Sequence, residues 1–191
     1  MFIETVETPN PLTLKFCPGM DIIPEGGTYS FSDSEAAKAS PLAASLFEVE
    51  GVNGIFLGRD FITVSRTEAK EWALLKADIL SIIANHLVAE KPILAAASEA
   101  VKSAYNDASR DEQESDIVST IRELIDTRVR PAVAEDGGDI IFHGFENGVV
   151  LLEMHGACAG CPSSTVTLKE GIENMLKHYV PEVEAVEAVD P

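Results

Sequence analysis

Cys158 and Cys161 are the side chains of this sequence whose type and spacing offer chemistry. They stand in the string "HGACAGCPSS" with two residues between them. Thiolates at that gap reach one metal centre together, or close on each other as a disulfide. Gly156, Ala157, Ala159 and Gly160 surround them. Residues this small let the backbone turn sharply and come close to whatever the sulfurs hold. Main-chain N–H groups can then bond thiolate or sulfide sulfur, a lever on a cluster's potential. An apolar run precedes the loop and Pro162 opens a helical pattern. Cys158 is therefore expected after a strand and Cys161 at the mouth of a helix, where free N–H groups and the helix dipole lower a thiol's pKa.

A single CxxC admits four readings. Two buried, inert cysteines are the first. A dithiol oxidoreductase is the second, because CxxC opens a helix after a strand there too. Against it, no proline lies between the cysteines, no tryptophan precedes them, and the neighbouring strands read as a hairpin and not a βαβ unit. Zinc is the third. It wants four ligands, and one chain offers Cys158 and Cys161 with His155 as a conceivable third and His143 and His178 as remote ones. The fourth is an iron–sulfur cluster bridged between two copies. Four thiolates is the usual ligand count, one chain supplies two, and a twofold axis supplies the other pair. Composition and spacing alone put this fourth reading only slightly ahead.

Other conspicuous residues have plainer roles. His155 reads as a solvated or hydrogen-bonded strand-end histidine. Cys17 reads as a small buried hydrophobe, and Trp72 as core on an apolar helix face. Asp136, Gly137, Gly138 and Asp139 read as a tight turn. Ser163 and Ser164 read as helix caps rather than donors to sulfur.

The elements that must position the cysteine pair are legible around it. In residues 1–90, "MFIETVET" and "LTLKF" read as strands, and "SDSEAAKASPLAASLFEV" reads as a helix that Ser32 or Ser34 could cap and Pro41 breaks or restarts. "GIFLG" and "DFITVS" form a hairpin, and residues 72, 74, 75, 79, 82, 83 and 87 mark an apolar helical stripe. Residues 91–115 turn to alanine, serine and charge and read as a flexible linker that gives two domains independent positions. From 116 to 191 the order is α–β–β–α–β. Ile117, Ile121, Leu124, Ile125 and Val129 line one helix, which ends or kinks at Pro131. "IIFHGF" and "GVVLLEM" flank "ENG" as a hairpin, Pro162 starts the second helix, Pro181 stops it, and "EVEAVEAV" is the last strand. The fold class is α+β: two small mixed domains and a linker.

Charge and cysteine usage exclude several functions. The net charge is −18, with 13 acidic against 6 basic residues in 1–90 and 14 against 5 in 116–191. Both halves would repel a nucleic-acid backbone. Three cysteines in 191 residues are not a disulfide framework and point to a reducing compartment. No run of 18 apolar residues and no basic-then-apolar leader occurs, so neither membrane span nor secretion is expected. Any organellar targeting piece would already be gone.

The stretch "DGGDI … LLEMHGACAGCPSSTVTLKEGIENMLKHYVPEVEAVEAV" resembles the C-terminal domain of NifU, the Nfu domain. "TPNPLTLKF", "SPLAASLFEVEGVNGIFLGRDFITVS" and the tryptophan shortly after them resemble the N-terminal domain of Nfu scaffold proteins. The likeness spans nearly everything but the linker. It lacks the cysteine-rich scaffold and ferredoxin-like regions of the three-domain NifU of nitrogen fixation. The resemblance implies a scaffold or carrier without catalytic groups, in which Cys158 and Cys161 bind a 4Fe–4S cluster shared by a homodimer. It implies upstream assembly machinery as donor and apo-proteins as clients, aconitase-like and lipoyl-forming enzymes among them. The implied setting is the bacterial cytoplasm, or the mitochondrial matrix after loss of a transit segment. The N-terminal domain, without ligands of its own, is assigned to client choice or cluster modulation.

Overall fold

A computed structural model describes residues 2–24, 27–95, 116–159 and 162–189. Each half builds one sheet with helices against one face. In the first, β1 (Glu4–Glu7), β2 (Thr13–Cys17), β3 (Tyr29–Phe31), β4 (Val52–Leu57) and β5 (Ile62–Arg66) make an antiparallel sheet of order β1-β2-β5-β4-β3. Strand alternation sends Leu14, Phe16, Ile55, Leu57, Ile62 and Val64 to one face. There they meet Leu42 and Leu46 of α1 (Pro41–Phe47) and Leu75, Ile79 and Ile83 of α2 (Trp72–Val88).

The first helix differs from its expectation. A single 3₁₀ turn spans Ala36–Ala39, and α1 starts afresh at Pro41. Its cap is Ser40, whose Oγ accepts from Ala43 N at 3.1 Å, and not Ser32 or Ser34. Proline suits a first helical position because its missing N–H would go unpaired there anyway. Leu74, on the expected stripe of α2, is 68% exposed, while His86 is buried and its Nε2 lies 3.1 Å from Pro92 O. Trp72 sits half-buried at the rim of the core, donating Nε1–H to Pro11 O. Cys17 is half-buried, not core, because β2 alternates Phe16 inward and Lys15 and Cys17 outward. Burial pushes its thiol pKa up.

The second half runs α3 (Asp116–Leu124), a π-helical turn (Ile125–Val129), α4 (Arg130–Glu135), β6 (Gly138–Glu146), β7 (Val149–Gly156), α5 (Pro162–Tyr179) and β8 (Ala185–Val189). The helix thus runs past Pro131 to Glu135, and the wide turn comes just before the proline, which has no N–H to give the regular ladder. The widening keeps Ile121, Ile125, Val129 and Val133 on one line toward the core. β6 and β7 form the expected hairpin through Asn147 (φ 50°) and Gly148 (φ 81°), a pair of left-handed residues suited to a two-residue turn. β8 then lies parallel to β7. The cysteine loop therefore does sit inside a β–α–β crossover, contrary to the hairpin-only expectation: β7 pairs with β6 on one side and, through α5, with β8 on the other.

The two halves also touch. The first residues of the expected linker belong to the N-terminal half: Ile93 and Leu94 pack on its core, and Ala95 N donates to Ala39 O. Residues 96–115, the rest of that expected linker, lie outside the described residues. Thr63 Oγ1 donates to Gly137 O (2.7 Å), and Lys15 Nζ donates to Ala134 O and Glu135 O (2.8 and 3.0 Å). Thr28 Oγ1 donates to Asp139 Oδ2 (3.0 Å), and Asn10 Nδ2 donates to Ala159 O (3.1 Å). The domains are docked, not independent. Among the described residues no helix is long and apolar enough to cross a membrane.

Candidate metal centre

Cys158 follows β7, as its spacing predicts, on a loop built by glycine. Gly156 turns the strand end with φ 63°. A Cβ there would stand 2.6 Å from Gly137 O and 3.0 Å from Gly138 Cα, so no larger residue fits this approach of β6 to the loop. Ala157 N donates to Gly137 O (3.2 Å), and Ala159 N donates to Gly156 O (3.2 Å). The Cys158 sulfur rests over Gly138, where a Cβ would lie 2.6 Å from Sγ. "DGGD" is thus more than a turn: its second glycine is the notch under the thiol. α5 opens at Pro162, the residue after Cys161 in sequence, and Cys161 lies outside the described residues.

The environment of Cys158 is apolar and acidic. It is 7% exposed and packs into the C-terminal core. Beside it a cavity of about 700 Å³ opens between α4 and α5, lined by Pro9, Val133, Leu168, Ile172 and Met175 among others. Burial pushes the Cys158 thiol up to about 12, and the nearby carboxylates of Asp136 and Asp139 add to the rise. The expected lowering at a helix mouth therefore does not apply to Cys158. Desolvation is the larger cause and the negative neighbours add to it, so the Cys158 thiol is held neutral in this structure. A metal or cluster can still take the site, because coordination displaces the thiol proton. Soft sulfur, small neighbours and an apolar wall fit an iron–sulfur group.

The polar groups nearby serve one another. Asp139 is buried (4% exposed) and paired with Arg130, whose Nε lies 3.1 Å from Oδ1. Arg130 also reaches Asp126 at 3.1 Å. His155 is buried rather than solvated, with Nε2 2.8 Å from Glu153 Oε1. Burial holds its pKa below the ordinary histidine value, against the pull of Glu153. Glu153 holds His143 too, at 2.6 Å. His178 stands near the far end of α5, about 24 Å along the helix from its start at 1.5 Å per residue. No group of three or more His, Cys, Asp or Glu positioned to hold a metal ion occurs among the described residues. Sequence reading missed the Asp139–Arg130 pair and the Asn10 contact. The acid and glycines of "DGGD" were a visible signal for the first; nothing local marks the second.

A two-helix, three-strand domain that presents a cysteine on a glycine-built strand–helix loop defines a class, and the comparisons agree with it. Residues 121–187 match the NifU-like domain, and residues 3–90 match the domain described as scaffold protein Nfu/NifU N terminal. The chain therefore carries an Nfu/NifU-type N-terminal domain followed by a NifU-like domain. It is 50% identical over 189 residues to the "NFU1 iron-sulfur cluster scaffold homolog, mitochondrial" of Drosophila sechellia, covering 99% of this chain and 65% of that protein. The Drosophila virilis protein of the same name is also 50% identical over 189 residues, with 62% of its length covered. The chain thus spans under two thirds of these relatives. The solution structure of a NifU-like protein from Saccharomyces cerevisiae superposes with a TM-score of 0.45 at 25% identity, over 49% of this chain and 84% of that one.

Proposed function

We propose that this chain is an iron–sulfur cluster carrier in which Cys158 and Cys161 bind a 4Fe–4S cluster bridged between two copies and release it to apo-proteins. The observation that carries the reading is the seat of Cys158: a thiol over a glycine notch, at the end of a strand that feeds a helix, in a family named for cluster scaffolding. Two cysteines per chain in the loop leave half of a four-thiolate set to a second copy. Transfer is ligand exchange: a client thiolate displaces a carrier thiolate, and the proton that coordination expelled returns to the carrier sulfur. No acid–base pair or nucleophile is required, so the chain is a carrier and not an enzyme.

The working division is a cluster domain at 116–191, a linker at 91–115 and an accessory domain at 1–90. The donor is the cell's cluster-assembly machinery, and the clients are apo-enzymes of the aconitase-like and lipoyl-forming kinds. The compartment is reducing: the bacterial cytoplasm, or the mitochondrial matrix, a reading supported by the word mitochondrial in the relatives' names. Anaerobic treatment with iron and sulfide tests the reading. A brown dimer with about four iron and four sulfide per two chains is expected, and none in the Cys158→Ala Cys161→Ala variant. A colourless protein, or a cluster that survives the double substitution, would sink the assignment.

A further inference from the structure

Two buried aromatic rings belong to neither hydrophobic core. Phe56 and Phe61 are 2% and 5% exposed, yet the N-terminal core is made by their strand neighbours Ile55, Leu57 and Ile62. Alternation puts Phe56 and Thr63 on the outer face of that sheet. The rings lie 5.9 Å apart, and the Lys15 ammonium sits 4.3 Å from the centre of Phe61. Across from them Ile141 is buried but stands outside the C-terminal core. Phe56 packs against the cysteine loop itself: a Cβ on Gly156 would be 3.1 Å from its ring.

The hydrogen bonds around this apolar patch all end near the thiol. Lys15 bonds the last carbonyls of α4, where a helix leaves acceptors unpaired and its dipole favours a cation. Thr63 bonds Gly137 O, the same carbonyl that receives Ala157 N. Asn10 bonds Ala159 O, between the two cysteines. Its neighbour Pro9 lines the cavity beside Cys158. The surface is therefore shaped to the cysteine-loop end of a domain of this kind, and the occupant seen on it is this chain's own loop.

We infer that the outer face of β2, β5 and β4 is a docking surface for the cysteine loop and works as a removable cap. Seated, it fixes the loop and covers the approach to Cys158. Lifted, it lets a second copy or a client reach the sulfurs. The cap's purpose rests on the carrier reading above; the docking does not.

The test begins with the full chain without iron. An Asn10→Asp, Lys15→Met, Thr63→Val variant removes all three donors at nearly constant size, and the carboxylate introduced by Asn10→Asp keeps the acceptor that Leu12 N uses. Cys158 labelling by iodoacetamide and deuterium uptake of residues 156–159 are read by mass spectrometry. Losing these four interdomain bonds should speed labelling at least about tenfold, with uptake in α2 unchanged. The single Lys15→Met change, on an outer-face stem, should give a smaller rise of the same sign and guards against misfolding of the triple variant. Equal labelling and uptake in all three proteins would overturn the docking surface. Iron and sulfide are then added. The triple variant should load faster, and a variant labelled faster but loaded at the parent rate would overturn the cap. Failure of every protein to form a cluster would count against the carrier reading instead, and the labelling result is indifferent to it.

Discussion

The two sheets differ in what they do with the face that carries no helices. In the N-terminal half that face sets the buried rings of Phe56 and Phe61, with Lys15 and Thr63 as donors, against the other domain. In the C-terminal half it bears Glu153, His155 and Asp139, while the Cys158 thiol lies on the helix-covered side, packed into the core. Both sheets follow the same packing logic on the inner side, with buried Ile, Leu, Val and Phe against amphipathic helices. The contrast teaches that the outer faces carry the polar contacts, while the thiol is seated at a strand end against the C-terminal core.

If that division is right, damage to the N-terminal core should lower stability and spare iron binding. Phe16→Ala is expected to cost about 3–5 kcal/mol in denaturant unfolding, with iron per folded chain unchanged. A parallel loss of iron would mean that the first domain contributes to the site directly.

A smaller and sharper probe separates two glycines of the C-terminal sheet. Gly156→Ala forces a side chain into left-handed backbone and against Gly137 O, and should cost about 1–3 kcal/mol. Gly144→Ala meets open space and should stay within about 0.5 kcal/mol. Thermal melts of both variants check the pair, and equal costs would deny the loop its special geometry.

The mildest probe is electrostatic. Asp136→Asn removes a charge that raises the Cys158 thiol, so its titration, followed by thiolate absorbance, should move down from about 12. The folded thiol titrates above the ordinary value of 9.0, so folding favours the neutral form. That stabilisation is fully present below pH 9 and is lost as the pH rises towards 12. The stability difference between the parent chain and Cys158→Ala should shrink across that window and stay flat below it.

Much of this was legible in local pattern. The β4–β5 and β6–β7 hairpins, α2, α5 and the place of Cys158 just after a strand follow from alternation, helical spacing and turn residues within a dozen positions of each other. What escaped the sequence was set by distance or by competition. β3 is three residues long and gains its place only by pairing with β4. The parallel partnership of β7 and β8 depends on how α5 folds back. Asn10 meets Ala159 across 149 positions. For Cys158 the sequence shows a thiol among small residues, and only the packed loop shows that burial and nearby carboxylates raise its pKa. The notch at Gly138 was visible as letters and invisible as a contact.

Ile93 and Ala95 are fastened to the first domain, so the stretch of sequence that joins the domains is counted from Ala95 to Asp116 and not from Pro92. Twenty intervening residues can span at most about 70 Å. A lifted cap on so short a leash stays in its partner's neighbourhood at an effective concentration in the millimolar range. Recapture of the loop is then a local event, independent of how much protein the cell holds. Any molecule that needs the loop competes with that standing local concentration, so its access would be governed by the lifetime of the open form more than by its own abundance.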